Sequence, residues 1–416
     1  MSGVGCQENG RAQCPRARRT AAGLGRMVVL FLVAGCRQTE VAPTASPPVE
    51  AAPAAVAEAK PAVEHGRLET IQGYRVLSLD GTPEQMGRAC GTLLKPTIRK
   101  VVTAMITDGI GADRAEYESI LNGSRVMERY QPEEYLRELK AMAAAADVRY
   151  EDLVLLQYFG DVRRSIGGKG SSFFCTAFAI TRPNTREDTC IVGRNFDYFD
   201  HGVGDYASLL VYYRPEGKIP FVTVTWAGVI NGWTLLNEKG IVTANDTAHG
   251  KTNSLAGIST CFLLRHIAEN AGTVSEGIAL VKKSKRSCGT AVLVASGNPP
   301  DGAIVEFDAA EVAVRRLKNG FVGADNRFDK LYDPGPRLWG GRLGEARDLV
   351  KKHSGGITLA TEIADADGVP IDGMNLHCVT VDAGKLIMRV AMGGIPAYKR
   401  PFKTFRLTEK GLVSVE

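Results

Sequence analysis

The sequence predicts an α+β fold in which two β-sheets are covered by helices. Three observations lead there. Residues 65–174 carry mainly helical patterning, the chain changes to short β-type runs separated by turns from Cys175 onward, and helical segments interrupt those runs twice. Length agrees: 416 residues, 44% of them apolar, are enough for one large domain or two ordinary ones with a sizeable core.

In chain order, Arg16, Arg18, Arg19 and Arg26 precede an apolar run over 27–34, closed by Val33-Ala34-Gly35-Cys36. A basic head, a short apolar core and small residues before a cysteine have the form of a secretory signal, and the run is too short to span a bilayer. Its last four residues resemble a bacterial lipobox. That likeness implies a leader over 1–36, lipid on the Cys36 thiol, and a place in the cell envelope anchored to the membrane. Residues 37–64 are expected to be a tether, because Ala, Pro, Val, Ser and Glu dominate there and bury too little apolar surface to offset ordering entropy.

Residues 65–174 are expected to form a helical segment ahead of the main domain at 175–416. Thr82-Pro83-Glu84-Gln85 supplies a capping hydroxyl, a proline at the first helical position and a glutamine that closes a capping box, so a helix is predicted from there to about Lys95. Periodicity predicts two more over 133–146 and 150–159. The stretch Gly167-Gly168-Lys169-Gly170-Ser171-Ser172 then lies just ahead of Phe173-Phe174-Cys175. Beyond it, strands are predicted over 175–181, 189–195, 207–213, 220–226, 232–236 and 241–245. Helices follow over 259–269 and 274–283, the second opened by the box Thr273-Val274-Ser275-Glu276. Strands return over 288–296, 303–308 and 312–317, and a helix over 341–352.

The formal charge of +5 comes from 51 basic and 46 acidic side chains spread along the chain. Without a dense basic run, nucleic acid is not expected as a partner. Of nine cysteines, Cys6 and Cys14 fall in the leader and Cys36 would carry lipid. The other six form no CxxC pair and no disulfide framework, which argues against a metal knuckle and leaves room for a working thiol.

Cys175 is the candidate. Folding the first predicted hairpin about Thr185 places it opposite Asn195, with Arg194 and Asp197 arriving at the same end of the two strands. A thiol of ordinary pKa, about 8.5, is mostly protonated at neutral pH, and a nearby guanidinium favours the thiolate. Arg194 suits that task, while Asp197 either fixes Arg194 or holds the amine of the cysteine. If the chain is cut before Cys175, the freed α-amine, of pKa about 7.7 to 8.0, serves as the base for its own thiol.

Cys175-Thr176-Ala177-Phe178-Ala179 followed by Gly193-Arg194-Asn195-Phe196-Asp197-Tyr198 resembles the start of the cysteine N-terminal-nucleophile hydrolases. These include choloylglycine hydrolase, penicillin V acylase, acid ceramidase and the acyl-coenzyme A:isopenicillin N (6-aminopenicillanic acid) acyltransferases. The acyltransferase branch fits best, since Gly81-Thr82-Pro83-Glu84-Gln85-Met86-Gly87 with Gly91 is similar to its helical pro-segment; Phe174 stands where that branch often has glycine. The likeness spans about 67–407. It implies a four-layer αββα sandwich, self-cleavage before Cys175, and a pro-segment that stays associated. It implies Cys175 as nucleophile with Arg194 and Asp197 beside it. Asn245, in Asn237-Glu238-Lys239-Gly240-Ile241-Val242-Thr243-Ala244-Asn245, corresponds to an oxyanion-hole asparagine, and Asn326, in Ala324-Asp325-Asn326-Arg327-Phe328, to a later active-site asparagine. The expected substrate is a small acyl amide or thioester, attacked without metal or organic cofactor. Two rival functions stay open. One is a papain-like or transglutaminase-like enzyme pairing Cys175 with His249 or His377. The other is a non-catalytic envelope lipoprotein of the same fold.

Overall fold

The computed structural model describes residues 61–167, 174–199, 201–332, 341–358, 361–366 and 368–415, so the expected leader, Cys36, nearly all of the tether and the Gly/Ser stretch lie outside the described residues. Three strands come first: β1 (Ala62–Val63), β2 (Gly66–Ile71) and β3 (Tyr74–Gly81). Five helices follow: α1 (Pro83–Leu93), α2 (Lys95–Val102), α3 (Arg114–Glu128), α4 (Glu133–Ala146) and α5 (Tyr150–Ser165). Then come β4 (Phe174–Ile180), β5 (Ile191–Asp197), α6 (Gly204–Ala207), β6 (Ser208–Pro215), β7 (Phe221–Trp226), β8 (Thr234–Asn237) and β9 (Ile241–Thr247). Helices α7 (Thr260–Asn270) and α8 (Val274–Lys283) precede β10 (Thr290–Gly297), β11 (Pro300–Phe307), β12 (Val312–Arg316) and β13 (Phe321–Ala324). The chain closes with α9 (Arg342–Lys352), α10 (Thr361–Ala364), β14 (Asn375–Asp382), β15 (Ile387–Met392), β16 (Lys403–Thr408) and β17 (Gly411–Ser414). No described helix is long and apolar enough to cross a membrane.

The strands form two sheets. One has the order β1-β2-β3-β6-β7-β8-β9-β10-β11-β12, the other β13-β4-β5-β14-β15-β16-β17. Alternation decides what each face meets. Val242, Ala244, Ala291 and Leu293 of the first sheet share one apolar core with Ala177, Ala179, Val192 and Val379 of the second, so the sheets pack face to face. The outer face of the first sheet, with Leu77, Leu235 and Val292, is covered by helices α1 to α5, α7 and α8. Phe178, Ile191 and Cys378 on the outer face of the second are covered by Leu343, Ala346, Val350, Ile363 and Ala364 of α9 and α10. The result is the predicted four-layer αββα sandwich.

The start of helix α1 is as predicted: Thr82 Oγ1 accepts from the Gln85 N–H and Gln85 Oε1 from the Thr82 N–H. Residues 65–174 are not a separate helical unit, however. Strands β2 and β3 form a hairpin whose corner, Gln72-Gly73, has positive φ at both residues, the geometry a tight two-residue turn requires. Strand β3 then pairs in parallel with β6, over a hundred residues later, which local periodicity cannot reveal. Helix α3, capped by Asp113, was also not anticipated. Helix α5 outruns its predicted end at Phe159 because the break at Tyr158 (φ −146°, ψ 22°) bends the helix without ending it.

A second difference decides the site. Cys175 lies opposite Phe196, and Thr176 opposite Asn195. The register is one residue away from that predicted, because the link between β4 and β5 is not a symmetric turn about Thr185, which instead bridges to Ile357. A one-residue slip exchanges faces. It turns Arg194 inward with Cys175 and sends Asn195 outward, where its Nδ2 donates to the Ala364 carbonyl. Gly193 is required here: a Cβ at that position would sit 2.1 Å from the Phe178 ring, which lies across it.

Candidate active site

Cys175 is fully buried at the inward face of β4. Arg194 Nη2 donates to its Sγ at 3.0 Å. The rest of that guanidinium is held by backbone carbonyls, with Nε toward Trp233 at 3.4 Å and Nη1 on Asn195. Among the described residues Asp197 makes no hydrogen bond to Arg194: it pairs with Phe174 on the outward side of β5, where Asn375 Nδ2 donates to its Oδ1 at 2.8 Å. Burial pushes the Asp197 carboxyl up to about 6.

The backbone of Cys175 is gripped as firmly as its sulfur. Its N–H donates to Asn326 Oδ1 at 2.8 Å, and Asn326 Nδ2 donates to the Thr247 carbonyl at 2.9 Å, tying β4 to the end of β9. Asn326 has φ 68°, a left-handed conformation that asparagine tolerates better than most residues. Arg342, at the start of α9, completes the frame. Its Nη2 donates to the Cys175 carbonyl at 2.9 Å and to Asn326 Oδ1 at 2.6 Å, and its Nε to Thr176 Oγ1 at 2.9 Å.

The structure thus brings Cys175, Arg194, Asn326 and Arg342 into one hydrogen-bonded set. Asn245 stays outside it. It pairs with Val292, on the face of β9 toward the helical layer, and its Oδ1 accepts no hydrogen bond from the described residues. Its neighbour Asp246 pairs with Ala291 and turns toward the space between the sheets, fully buried, with neither oxygen hydrogen-bonded among the described residues. Burial pushes its carboxyl up to about 7 against the pull of Arg194 and Arg342.

Arg342 and Asp246 were missed on sequence. Arg342 opens Arg342-Leu343-Gly344-Glu345-Ala346-Arg347, where nothing separates it from surface arginines. Asp246 left a signal: it continues the apolar alternation Val242, Ala244, so it is a charge placed on an inward face.

Arg194 was expected to make Cys175 a thiolate, but burial prevails. It pushes the thiol up to about 12 despite the guanidinium, so burial of the uncut site disfavours the thiolate. Among the described residues no histidine hydrogen-bonds to Cys175. His377 Nε2 lies 3.0 Å from Thr234 Oγ1, and burial then Arg194 keep its ring neutral; His249 is exposed. Phe196 stacks on Trp233 with centroids 4.5 Å apart. Tyr158, Tyr198, Trp226, Trp233 and Cys261 wall a cavity of about 20 Å³, room for a single water.

This arrangement can be compared with known proteins. Residues 184–332 match the family described as acyl-coenzyme A:6-aminopenicillanic acid acyl-transferase. Over those residues the resemblance to the acyltransferase branch drawn from the sequence holds. The acyl-transferase match takes in Arg194, Asp197, Asn245, Asp246 and Asn326, while Cys175 and Arg342 flank it. An uncharacterized protein of Archaeoglobus fulgidus is 25% identical over 274 residues, covering 59% of this chain and 45% of its own. Protein dcd1A of Dictyostelium discoideum is 22% identical over 271 residues, covering 58% and 59%. The chain therefore spans about half the length of the curated relatives it matches. Among solved structures, the N-acylethanolamine-hydrolyzing acid amidase ortholog of Caenorhabditis elegans is similar with a TM-score of 0.42 and 15% identity, covering 50% of this chain and 93% of that one.

Proposed function

We propose that the protein is a cysteine amidohydrolase or acyltransferase that cuts its own chain between Phe174 and Cys175 and then uses Cys175 on a small acyl amide or thioester. The observation that carries this reading is a thiol with a guanidinium 3.0 Å away and its own N–H and carbonyl clamped by Asn326 and Arg342. Such a sulfur, fully buried, meets no outside substrate, so the first bond it serves is the peptide bond beside it. Scission frees an α-amine that is partly neutral near pH 7 and takes over as base. Thiolate attack on an acyl carbonyl then forms an acyl-enzyme, which water or an amine relieves. The family likeness offers Asn245 as the amide donor for the oxyanion, worth about 3 to 4 kcal/mol in comparable sites, although its side chain stands outside the set around Cys175. Asn326, whose Nδ2 is given to the Thr247 carbonyl, serves instead to hold the Cys175 nitrogen. Residues 65–174 remain bound after the cut, since β3 and the helical layer belong to the same core. We infer an envelope location through lipid on Cys36, which metabolic lipid labelling lost in Cys36→Ala would support.

The test is intact mass and N-terminal sequencing of purified protein beside Cys175→Ala. Two fragments, the second beginning at Cys175, are expected from the parent and a single chain from the variant. A single uncut chain in a preparation that hydrolyses acyl amides would overturn the reading.

A further inference from the structure

The α-amine that serves as base after scission does not exist before it. The first cut therefore needs a proton acceptor of a different kind, and among the described residues no histidine hydrogen-bonds to Cys175, His377 being engaged with Thr234 and His249 exposed.

We propose that Asp246 accepts the proton of the Cys175 thiol during self-cleavage, directly or across one water, and returns it to the departing amide nitrogen. Three observations on geometry converge. Asp246 continues the alternation of Val242 and Ala244 and Cys175 that of Ala177 and Ala179, all four apolar residues being in the core between the sheets. Strand β4 lies across from β9, and Cys175 itself packs at the edge of that core in the cluster of Phe196 and Trp233. Asp246 is fully buried, yet both of its oxygens lack a hydrogen-bond partner among the described residues, a costly arrangement unless those lone pairs have a use. The Asn326 Nδ2 bond to the Thr247 carbonyl fixes the residue after Asp246 to the residue that holds the Cys175 N–H.

Electrostatics support the assignment. The charged and titratable groups that act on Asp246 are Arg194 on β5, Arg342 on α9, Asp325 beyond β13 and Asp197 at the end of β5, and its charge in turn acts on Cys175. With burial added, the carboxyl titrates at about 7, where a base is both available and strong enough to matter.

The step balances. As the thiol proton moves to Asp246, sulfur bonds to the Phe174 carbonyl carbon and the oxygen becomes an oxyanion. The carbon–nitrogen bond then breaks, nitrogen takes the proton from Asp246, and a thioester to Cys175 with a free α-amine remains. Water hydrolyses the thioester to the Phe174 carboxylate and the thiol.

This inference rests on the proposed self-cleavage, so the experiment separates the two. Full-length chains are purified and scission at Phe174–Cys175 is followed by intact mass across pH 5 to 9. The parent is expected to cut with a rate that rises through neutral pH and then levels. Asp246→Asn is expected to cut about a hundredfold more slowly with a denaturation midpoint at least equal to the parent's, and Asp246→Glu to recover most of the rate. Equal rates in Asp246→Asn and the parent would overturn the role of Asp246 while leaving self-cleavage intact. A parent that never cuts overturns both readings. Should Asp246→Asn not fold, the parent's pH profile decides: a rate with no inflection near neutrality removes Asp246 as the acceptor.

Discussion

Two clusters of charge lie fully buried in this molecule, and they are built on opposite rules. Beneath the helical layer, Arg265 of α7 meets Glu138 of α4 and Glu269 at 2.7 Å each and donates to the Ile230 carbonyl at 2.7 Å. Tyr135 OH donates to Glu269 at 2.6 Å, and the rings of Tyr135 and Tyr213 lie against the guanidinium at 4.6 and 4.7 Å. Around Cys175 the Arg194 guanidinium is engaged through all three nitrogens, but Arg342 Nη1, both oxygens of Asp246 and one oxygen of Asp197 have no hydrogen-bond partner among the described residues. Each ion of the first cluster faces an opposite charge, and that cluster holds α4 to α7. The second keeps acceptors in reserve. Among the described residues neither oxygen of Glu138 makes a hydrogen bond either, but Glu138 stands 2.7 Å from Arg265 in an ion pair, whereas no ion pair holds Asp246. The facing counter-charge, and not the count of hydrogen bonds, separates the two clusters.

The largest effect should come from breaking the closed cluster. Arg265→Met leaves Glu138 and Glu269 buried without a cation, and we expect a loss of about 3 to 5 kcal/mol, read as the shift of a chemical denaturation curve. A loss below about 1 kcal/mol would mean that this cluster is not structural in the sense argued, and the contrast would fail.

How much of this was legible in the sequence differs between the same two regions. Helix caps, turn residues and alternation are local, and they located α1, α4, α8 and most strands of the second half. The parallel pairing of β3 with β6 and the closed cluster were invisible, because Glu138 and Arg265 sit in unremarkable amphipathic helices and meet only in the folded layer. The site was half legible. The string Gly193-Arg194-Asn195-Phe196-Asp197 marked Arg194, but the register that turns it toward Cys175 depends on a loop anchored at Ile357, far along the chain. Arg342 and Asp246 needed the sandwich itself.

A smaller effect should follow from titration. Burial pushes the Glu138 carboxyl up to about 7 in spite of Arg265, against about 4.3 in an unfolded chain. The folded state thus holds this proton more tightly. The stability it contributes is complete below about pH 4 and is lost as pH rises through about 7. Glu138→Gln keeps the shape without the titration, so its stability relative to the parent should rise by on the order of 2 to 4 kcal/mol between pH 4 and pH 8. Denaturation curves at the two pH values measure this, and an offset that does not change with pH would contradict it.

The smallest effect tests the open cluster by a conservative change. Arg194 serves three acceptors from one planar fork: the Cys175 sulfur and the carbonyls of Asn195 and Trp233. In Arg194→Lys a positive charge remains, but an ammonium on a flexible stem cannot present that fork. Self-cleavage should slow by about 10- to 100-fold, or about 1.4 to 2.7 kcal/mol of barrier, while folding stability falls by less than in Arg265→Met. The opposite pattern, scission unchanged and stability lost as heavily as in Arg265→Met, would place Arg194 among the structural charges. The contrast depends on that split, because a guanidinium aimed at a sulfur is informative about chemistry only if its geometry matters to rate more than to folding.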